Sequence, residues 1–243
     1  MKSAIPSPRQ LDYQDWELGV FLHFGIRTFY EGHRDWDGKP MYAKNFQPSA
    51  LDCDQWVTTA KAAGFQYMVM TAKHHDGFAN WPSKYTDFSV ASSPWKDGKG
   101  NVVAEFLDAC HRHGIHPGLY YSPAEASQNT FERDPEAYDE YFLNQISEIL
   151  TGHGEVEMLW FDGSGSQGHT YDWGRIIPEV RKMQPRILIF NMGDPDYRWV
   201  GSEAGIAPMP CWNTVVADED AGEAVWLPAE CDCRMRAANW FYS

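Results

Sequence analysis

Polar and aromatic side chains gather at the ends of short apolar runs in this 243-residue chain. His23 follows the run in GVFLHFG, His74-His75-Asp76 follows FQYMVMTA, Tyr120 and Tyr121 stand in IHPGLYYS, and Trp160 and Asp162 end VEMLWFDG. In a strand, residues two apart share a face, so Trp160 and Asp162 project together and set an aromatic wall beside a carboxylate. Breaking a glycosidic bond takes such a carboxylate and a second carboxyl group, one as nucleophile or base and one as proton donor. Asp162 is the first candidate. Glu203, in RWVGSEAG after a fifth apolar run, is the second, although a Gly-containing loop also suits a solvated glutamate. Glu230 and Glu125 stand in reserve for the proton-donor role.

The same cluster has a competing chemistry. His74, His75 and Asp76 are ligand types for zinc or iron. Consecutive side chains on a strand diverge, however, which sets them against sharing one ion, so no metal and no cofactor is expected. Cys231 and Cys233 flank Asp232, but two ligands fall short of a structural zinc site; free thiols are expected there. His111 and His113 fall beside Gly114 at an exposed helix end.

The elements that must position these groups alternate. Apolar runs bounded by turn residues predict strands at 19–25, 65–72, 115–122, 156–163 and 187–193, with two weaker ones near 212–217 and 239–243. Asp52 followed by Gln55 reads as a helix start, with Trp56, Ala60 and Ala63 on its apolar face and Gly64 at its end. A second helix is predicted from Val102 to His113 before Gly114, and a third from Pro135 to Leu150. No Gly-rich dinucleotide fingerprint follows the first strand, so this rhythm predicts a (β/α)8-like TIM-type barrel with chemistry at the C-terminal ends of its strands. One domain over 1–243 is the simplest division.

Composition narrows the partners. A formal charge of −14 and a pI near 4.9 oppose nucleic acid or anionic membrane, both of which reward clustered Lys and Arg. A neutral substrate is compatible with this surface. No apolar run has the 18 residues of a membrane span, and the first ten residues lack the apolar stretch of a signal peptide. The five cysteines are scattered and odd in number, which fits reduced thiols and a cytoplasmic setting, or an exported one if a signal peptide was removed. Aromatic residues make up 15% of the chain, enough for a large core and for rings that pack on sugars.

Taken together, GVFLHFG, the Phe46–Trp56 pattern, TAKHHDGFANWPSKYTDFSV, GLYYS, LWFDG and DYRWVGSEAG resemble, in order, the landmarks of the family 29 glycoside hydrolases, the α-L-fucosidases. DYRWVGSE, with LPAEC before an aromatic WFYS, is similar to the branch acting on α-1,3- and α-1,4-linked fucose. The resemblance implies a retaining hydrolase of fucosylated oligosaccharides or glycoconjugates. It implies that Asp162 is the nucleophile and Glu203 the general acid/base. It further implies that His23, His74 and His75 bind fucose hydroxyls, and that Trp36, Tyr120 and Trp160 face the ring or bind hydroxyls. Three positions depart from the pattern: Ala124 and Glu125 replace a Trp-Asp pair, and Asp35 replaces a glutamate before Trp36.

Relatives continue with another helix, a last barrel strand and often a β-sandwich. The sequence therefore predicts about seven strands, no C-terminal sandwich and an incomplete barrel. Exposed edges would invite a homo-oligomer through residues near 235–243 or the first strand. Two further readings stay open: a truncated barrel that binds fucosylated glycans without turnover, and a metal-dependent barrel hydrolase.

Overall fold

The computed structural model describes residues 4–33, 38–127, 130–218, 223–236 and 239–242. Helix α1 (Pro8–Trp16) precedes strand β1 (Gly19–Leu22); α2 (Cys53–Ala62) precedes β2 (Tyr67–Lys73); and α3 (Val102–His113) precedes β3 (His116–Tyr121). Then come α4 (Thr130–Arg133), α5 (Pro135–Leu150), β4 (Met158–Phe161), α6 (Trp173–Met183) and β5 (Leu188–Phe190). Strands β1 to β5 form one parallel sheet in chain order.

Local chemistry accounts for the helices. The side chains of Asp52, Asn101 and Asp134 accept from the backbone N–H three residues on, at 2.9, 2.9 and 3.1 Å, and so cap α2, α3 and α5. Such a cap satisfies a donor that the helix itself leaves orphaned. Gly114 ends α3 in the left-handed region at φ 64°, where a side chain would be strained. Helix α1, absent from the sequence-based expectation, starts with a reciprocal Ser7–Gln10 capping box and Pro8 in its first turn. It lies across the N-terminal ends of the strands: Tyr13 packs on Tyr67 and Tyr197, and Trp16 stacks on His116 at 4.1 Å.

Alternation along the strands divides two cores. Met68, Met70, Leu119, Leu159, Phe161 and Ile189 pack outward with the helices. Val69, Tyr120, Met158, Trp160, Leu188 and Phe190 pack inward. One inward row reads Phe21, Val69, Gly118, Met158, Leu188 across the five strands. Gly118 is needed there, since a Cβ would stand 2.9 Å from a Val69 methyl and 3.1 Å from Met158. The ring centroids of Phe21 and Trp160 are only 5.2 Å apart, although their strands are three steps apart and a flat sheet would separate them by about 14 Å. The sheet is therefore tightly curled. Among the described residues its edges are β1 and β5.

The expected sixth and seventh barrel strands do not form among the described residues. Residues 214–218 instead make β7 (Thr214–Asp218), antiparallel to β8 (Glu223–Trp226). Thr214 and Val216 are exposed, whereas a strand inside a parallel barrel is covered on both faces, so an apolar run alone misled the sequence reading. Residues 239–242 are not strand. A short parallel pair that the periodicity does not signal, β6 (Arg198–Trp199) with β9 (Ala229–Glu230), follows β5 through a bridge between Phe190 and Tyr197.

Candidate active site

Position in the inward rows decides what reaches the cavity. Trp160 points inward on β4, and Asp162, two residues on, continues that face past the strand end. On β2 a bulge between Thr71 and Lys73 shifts the register, so that Lys73 pairs with Tyr121. Lys73 then lies outside, over the Tyr121 ring at 4.2 Å, in a buried ion pair with Glu125. The re-aimed chain brings both His74 and His75 to the cavity, which plain alternation would not do.

The cavity is about 510 Å³, large enough for a sugar ring. His23, His74, His75, Tyr120, Trp160, Asp162 and Glu203 all line it. Trp36 lies outside the described residues. Asp162 is tightly held: the Tyr120 hydroxyl donates to Oδ2 at 2.7 Å, the Ser164 N–H donates to Oδ1 at 2.8 Å, and His75 Nε2 stands 3.2 Å from Oδ2. Burial pushes its pKa up, but the hydrogen bond and charge of His75, with the other two donors, leave it below the ordinary carboxylate value. A fixed, ionised carboxylate at a strand end is what a nucleophile requires.

Trp160 is clamped between Tyr120 and Phe190, at 5.3 and 4.0 Å between ring centroids, and its Nε1 donates to Glu230 at 2.7 Å. Tyr13 and Tyr67 donate to the same Glu230 carboxylate at 3.1 and 3.2 Å. Glu230 thus holds the aromatic wall from behind. Glu125 is likewise committed, to Lys73, Tyr141 and Ser127, so neither reserve glutamate lines the cavity as an acid.

His23 and His74 are electrically quiet. Burial lowers His23 to about 3 and pushes His74 well below the ordinary histidine value, so both rings are neutral near pH 7. Each buries Nδ1 without a hydrogen-bond partner among the described residues, which leaves the other ring nitrogen to meet a ligand. Neutral imidazoles can read hydroxyl groups without placing a positive charge beside a cationic transition state.

The opposite wall comes from the end of the chain. Glu203 is exposed and stands 3.5 Å from Arg234 Nε. Trp199 and Asp232 join it, with Trp199 Nε1 donating to Asp232 at 2.7 Å. Burial raises the Asp232 carboxyl, and the charges of Glu203 and Asp162 add to the rise. Sequence reading missed Trp199, Asp232 and Arg234. The cysteines around Asp232 drew attention to metal chemistry, and the pairing of β9 with β6 that places Asp232 in the cavity carries no local signal in the sequence. Trp240 and Phe241 were expected at an oligomer edge. They instead turn inward, Trp240 stacking on His23 at 5.0 Å and Phe241 meeting His74 edge-on at 5.0 Å. Among the described residues no group of three or more His, Cys, Asp or Glu is arranged to hold a metal ion.

The chain is similar to several known proteins. The profile of the α-L-fucosidase family matches residues 40–194. Alpha-L-fucosidase 1 of Arabidopsis thaliana is 38% identical over 98% of this chain and 50% of its own length. The crystal structure of a glycoside hydrolase 29 family member from an unknown rumen bacterium superposes with a TM-score of 0.88 at 36% identity, covering all of this chain and 48% of the other. A Ruminococcus gnavus GH29 fucosidase in complex with fucose gives 0.82 at 26% identity, covering 100% and 58%. The chain spans about half the length of two of the curated relatives it matches. With a family profile covering more than half of its residues and a fold shared over its whole length, the chain belongs to the α-L-fucosidase family.

Proposed function

We propose that this chain carries the catalytic centre of a retaining α-L-fucosidase that releases terminal α-1,3- or α-1,4-linked L-fucose from oligosaccharides or glycoconjugates. The observation that carries the reading is Asp162: an ionised carboxylate, fixed by three donors at the rim of an aromatic wall, in a cavity that Glu203 also lines. In the first step an Asp162 oxygen bonds to the anomeric carbon while the glycosidic bond breaks and Glu203 gives its proton to the departing oxygen. In the second, Glu203 takes a proton from water, whose oxygen displaces Asp162 from the same carbon. Neutral His23 and His74, with His75, Tyr120 and Trp160, hold the sugar. The bound fucose of the R. gnavus relative supports the choice of sugar.

The test is hydrolysis of an aryl α-L-fucoside followed by proton NMR. The α anomer of fucose should appear first. A first-formed β anomer would show inversion and remove the nucleophile role from Asp162. Binding of fucose with no turnover would favour the glycan-binding reading.

A further inference from the structure

The loop that leaves the nucleophile has little of its own to hold it. Between Asp162, past the end of β4, and Trp173 at the start of α6, Ser164, Gly165, Gln167, Gly168 and Thr170 are exposed. Gly165 and Gly168 sit in the left-handed region at φ 80° and 92°. Three glycines among residues 163–168 leave this stretch many conformations to lose. Two of its groups nevertheless reach the site: the Ser164 N–H donates to Asp162 Oδ1 at 2.8 Å, and Gln167 lines the cavity.

What fixes the far end of the stretch is His169, whose side chain is 1% exposed. Its Nδ1 lies 2.9 Å from the Phe131 carbonyl of α4, and its Nε2 lies 3.0 Å from Asp139 Oδ1 on α5. The ring also stacks on Phe131 at 4.7 Å between centroids. Asp139 Oδ2 accepts the Asp172 N–H at 2.6 Å, so one buried carboxylate ties down both His169 and the residue that caps α6. Burying a carboxylate is costly unless it is hydrogen-bonded, and the loop supplies both donors. The Phe131 carbonyl and the Asp139 carboxylate only accept, so the ring serves the two together as an imidazolium, with one N–H for each. The other titratable groups against it are Tyr138 on α5 and Tyr171 on the loop, with Glu125 beyond them; burial pushes both hydroxyls up, so neither brings a charge.

We propose that His169 is a positioning residue, which with Asp139 holds the loop after β4 so that the Ser164 N–H stays on the Asp162 carboxylate. This role rests on Asp162 being the nucleophile. Burial raises the Asp162 pKa, His75 lowers it, and the Ser164 N–H is among the groups that lower it further. Tyr120 also donates to Asp162, and His23 and Asp232 feel its charge. Those groups stand on other elements, so loosening the loop withdraws Ser164 and leaves them in place.

The experiment compares the whole chain with His169→Phe, Asp139→Ala and Asp139→Asn. Phenylalanine keeps the ring stack and removes both hydrogen bonds. Asparagine keeps the clamp with a neutral ring, since its amide N–H donates to Nε2 while its oxygen accepts from Asp172. Backbone hydrogen exchange at Ser164, followed by proton–nitrogen NMR, should be about tenfold faster in His169→Phe and Asp139→Ala and parental in Asp139→Asn. In kinetics the acid limb of kcat/KM should move to higher pH in the first two, because Asp162 loses a donor that lowers its pKa. Their kcat should fall about tenfold with KM changed less, since the displaced group serves the nucleophile. Asp139→Asn should keep the parental limb and kcat. A merely structural histidine would lower the thermal midpoint and leave the Ser164 exchange and the acid limb where they are; that result would overturn the proposal, as would Asp139→Asn behaving like Asp139→Ala. The exchange measurement needs no turnover, so an inactive parent would refute the fucosidase reading and leave this result standing.

Discussion

The two walls of the cavity are built differently. The wall from β1 to β5 presents Asp162 at the end of a curled parallel sheet, with Tyr120, Trp160 and Phe190 buried in register beneath it. The wall from residues 198–240 presents Glu203 on an exposed stretch between two-residue strands, steadied by Arg234. A nucleophile must meet one carbon in a fixed geometry, and a packed strand end provides it. A proton donor that later activates water has to be reached by solvent and by leaving groups of different shapes. Precision sits on the sheet, and access sits on the loops.

The largest effect should come from removing the fixed carboxylate. Asp162→Asn is expected to lower kcat by at least about 10⁴-fold, as loss of a covalent nucleophile does, while its thermal midpoint stays within a few degrees of the parent. Near-parental turnover of an aryl fucoside by that variant would remove Asp162 from the mechanism and dissolve the contrast between the walls.

Glu203→Gln probes the other wall. With a poorly departing alcohol it should cost about 10²–10⁴-fold, and with a nitrophenolate far less, because the latter leaves without protonation. Equal losses across leaving groups would shift the role elsewhere, with Asp232 the next carboxyl in the cavity. Glu230→Gln should not show that leaving-group dependence, since its carboxylate serves Trp160, Tyr13 and Tyr67.

Stability should divide along the same line. Phe106 on α3 is fully buried, and Phe106→Ala should cost about 3–5 kcal/mol through the cavity it leaves. Trp212 is 70% exposed, so Trp212→Ala should change stability by no more than about 0.5 kcal/mol. Denaturant titration of the two variants measures both. Equal losses would mean that the late segment packs as firmly as the sheet.

The last effect concerns acid. Burial lowers the His23 pKa from the ordinary 6.5 to about 3, so between these values the unfolded chain binds a proton that the folded chain refuses. Its contribution is complete above 6.5 and declines as pH falls toward 3. Asp162, also lowered, acts in the same direction at more acidic pH. His23→Gln should flatten the fall in thermal midpoint between pH 6.5 and 4. A midpoint with the same slope in both proteins would show that His23 does not resist protonation.

Much of this was written in short-range chemistry. Caps at Asp52, Asn101 and Asp134 and a left-handed glycine at 114 act within a turn, so helices α2, α3 and α5 were legible from neighbouring residues, as were the five runs that became β1 to β5. Trp160 and Asp162 were legible because strand alternation alone sets their common face. Other features depended on what the chain meets in space. Val216 looks like a strand residue in either context, and its exposure and antiparallel pairing with β8 became visible only in the folded chain. The bulge after Thr71 turns Lys73 out and His74 in, although the sequence FQYMVMTAKHH carries no mark of it. Asp232 and Trp199 became site residues through a pairing 31 residues apart in the chain, Trp199 with Glu230. Sequence thus determined which groups were chemically able, since residue type and local period are properties of the chain. Tertiary structure decided which of them share a cavity, because register and curvature arise only when distant strands pack.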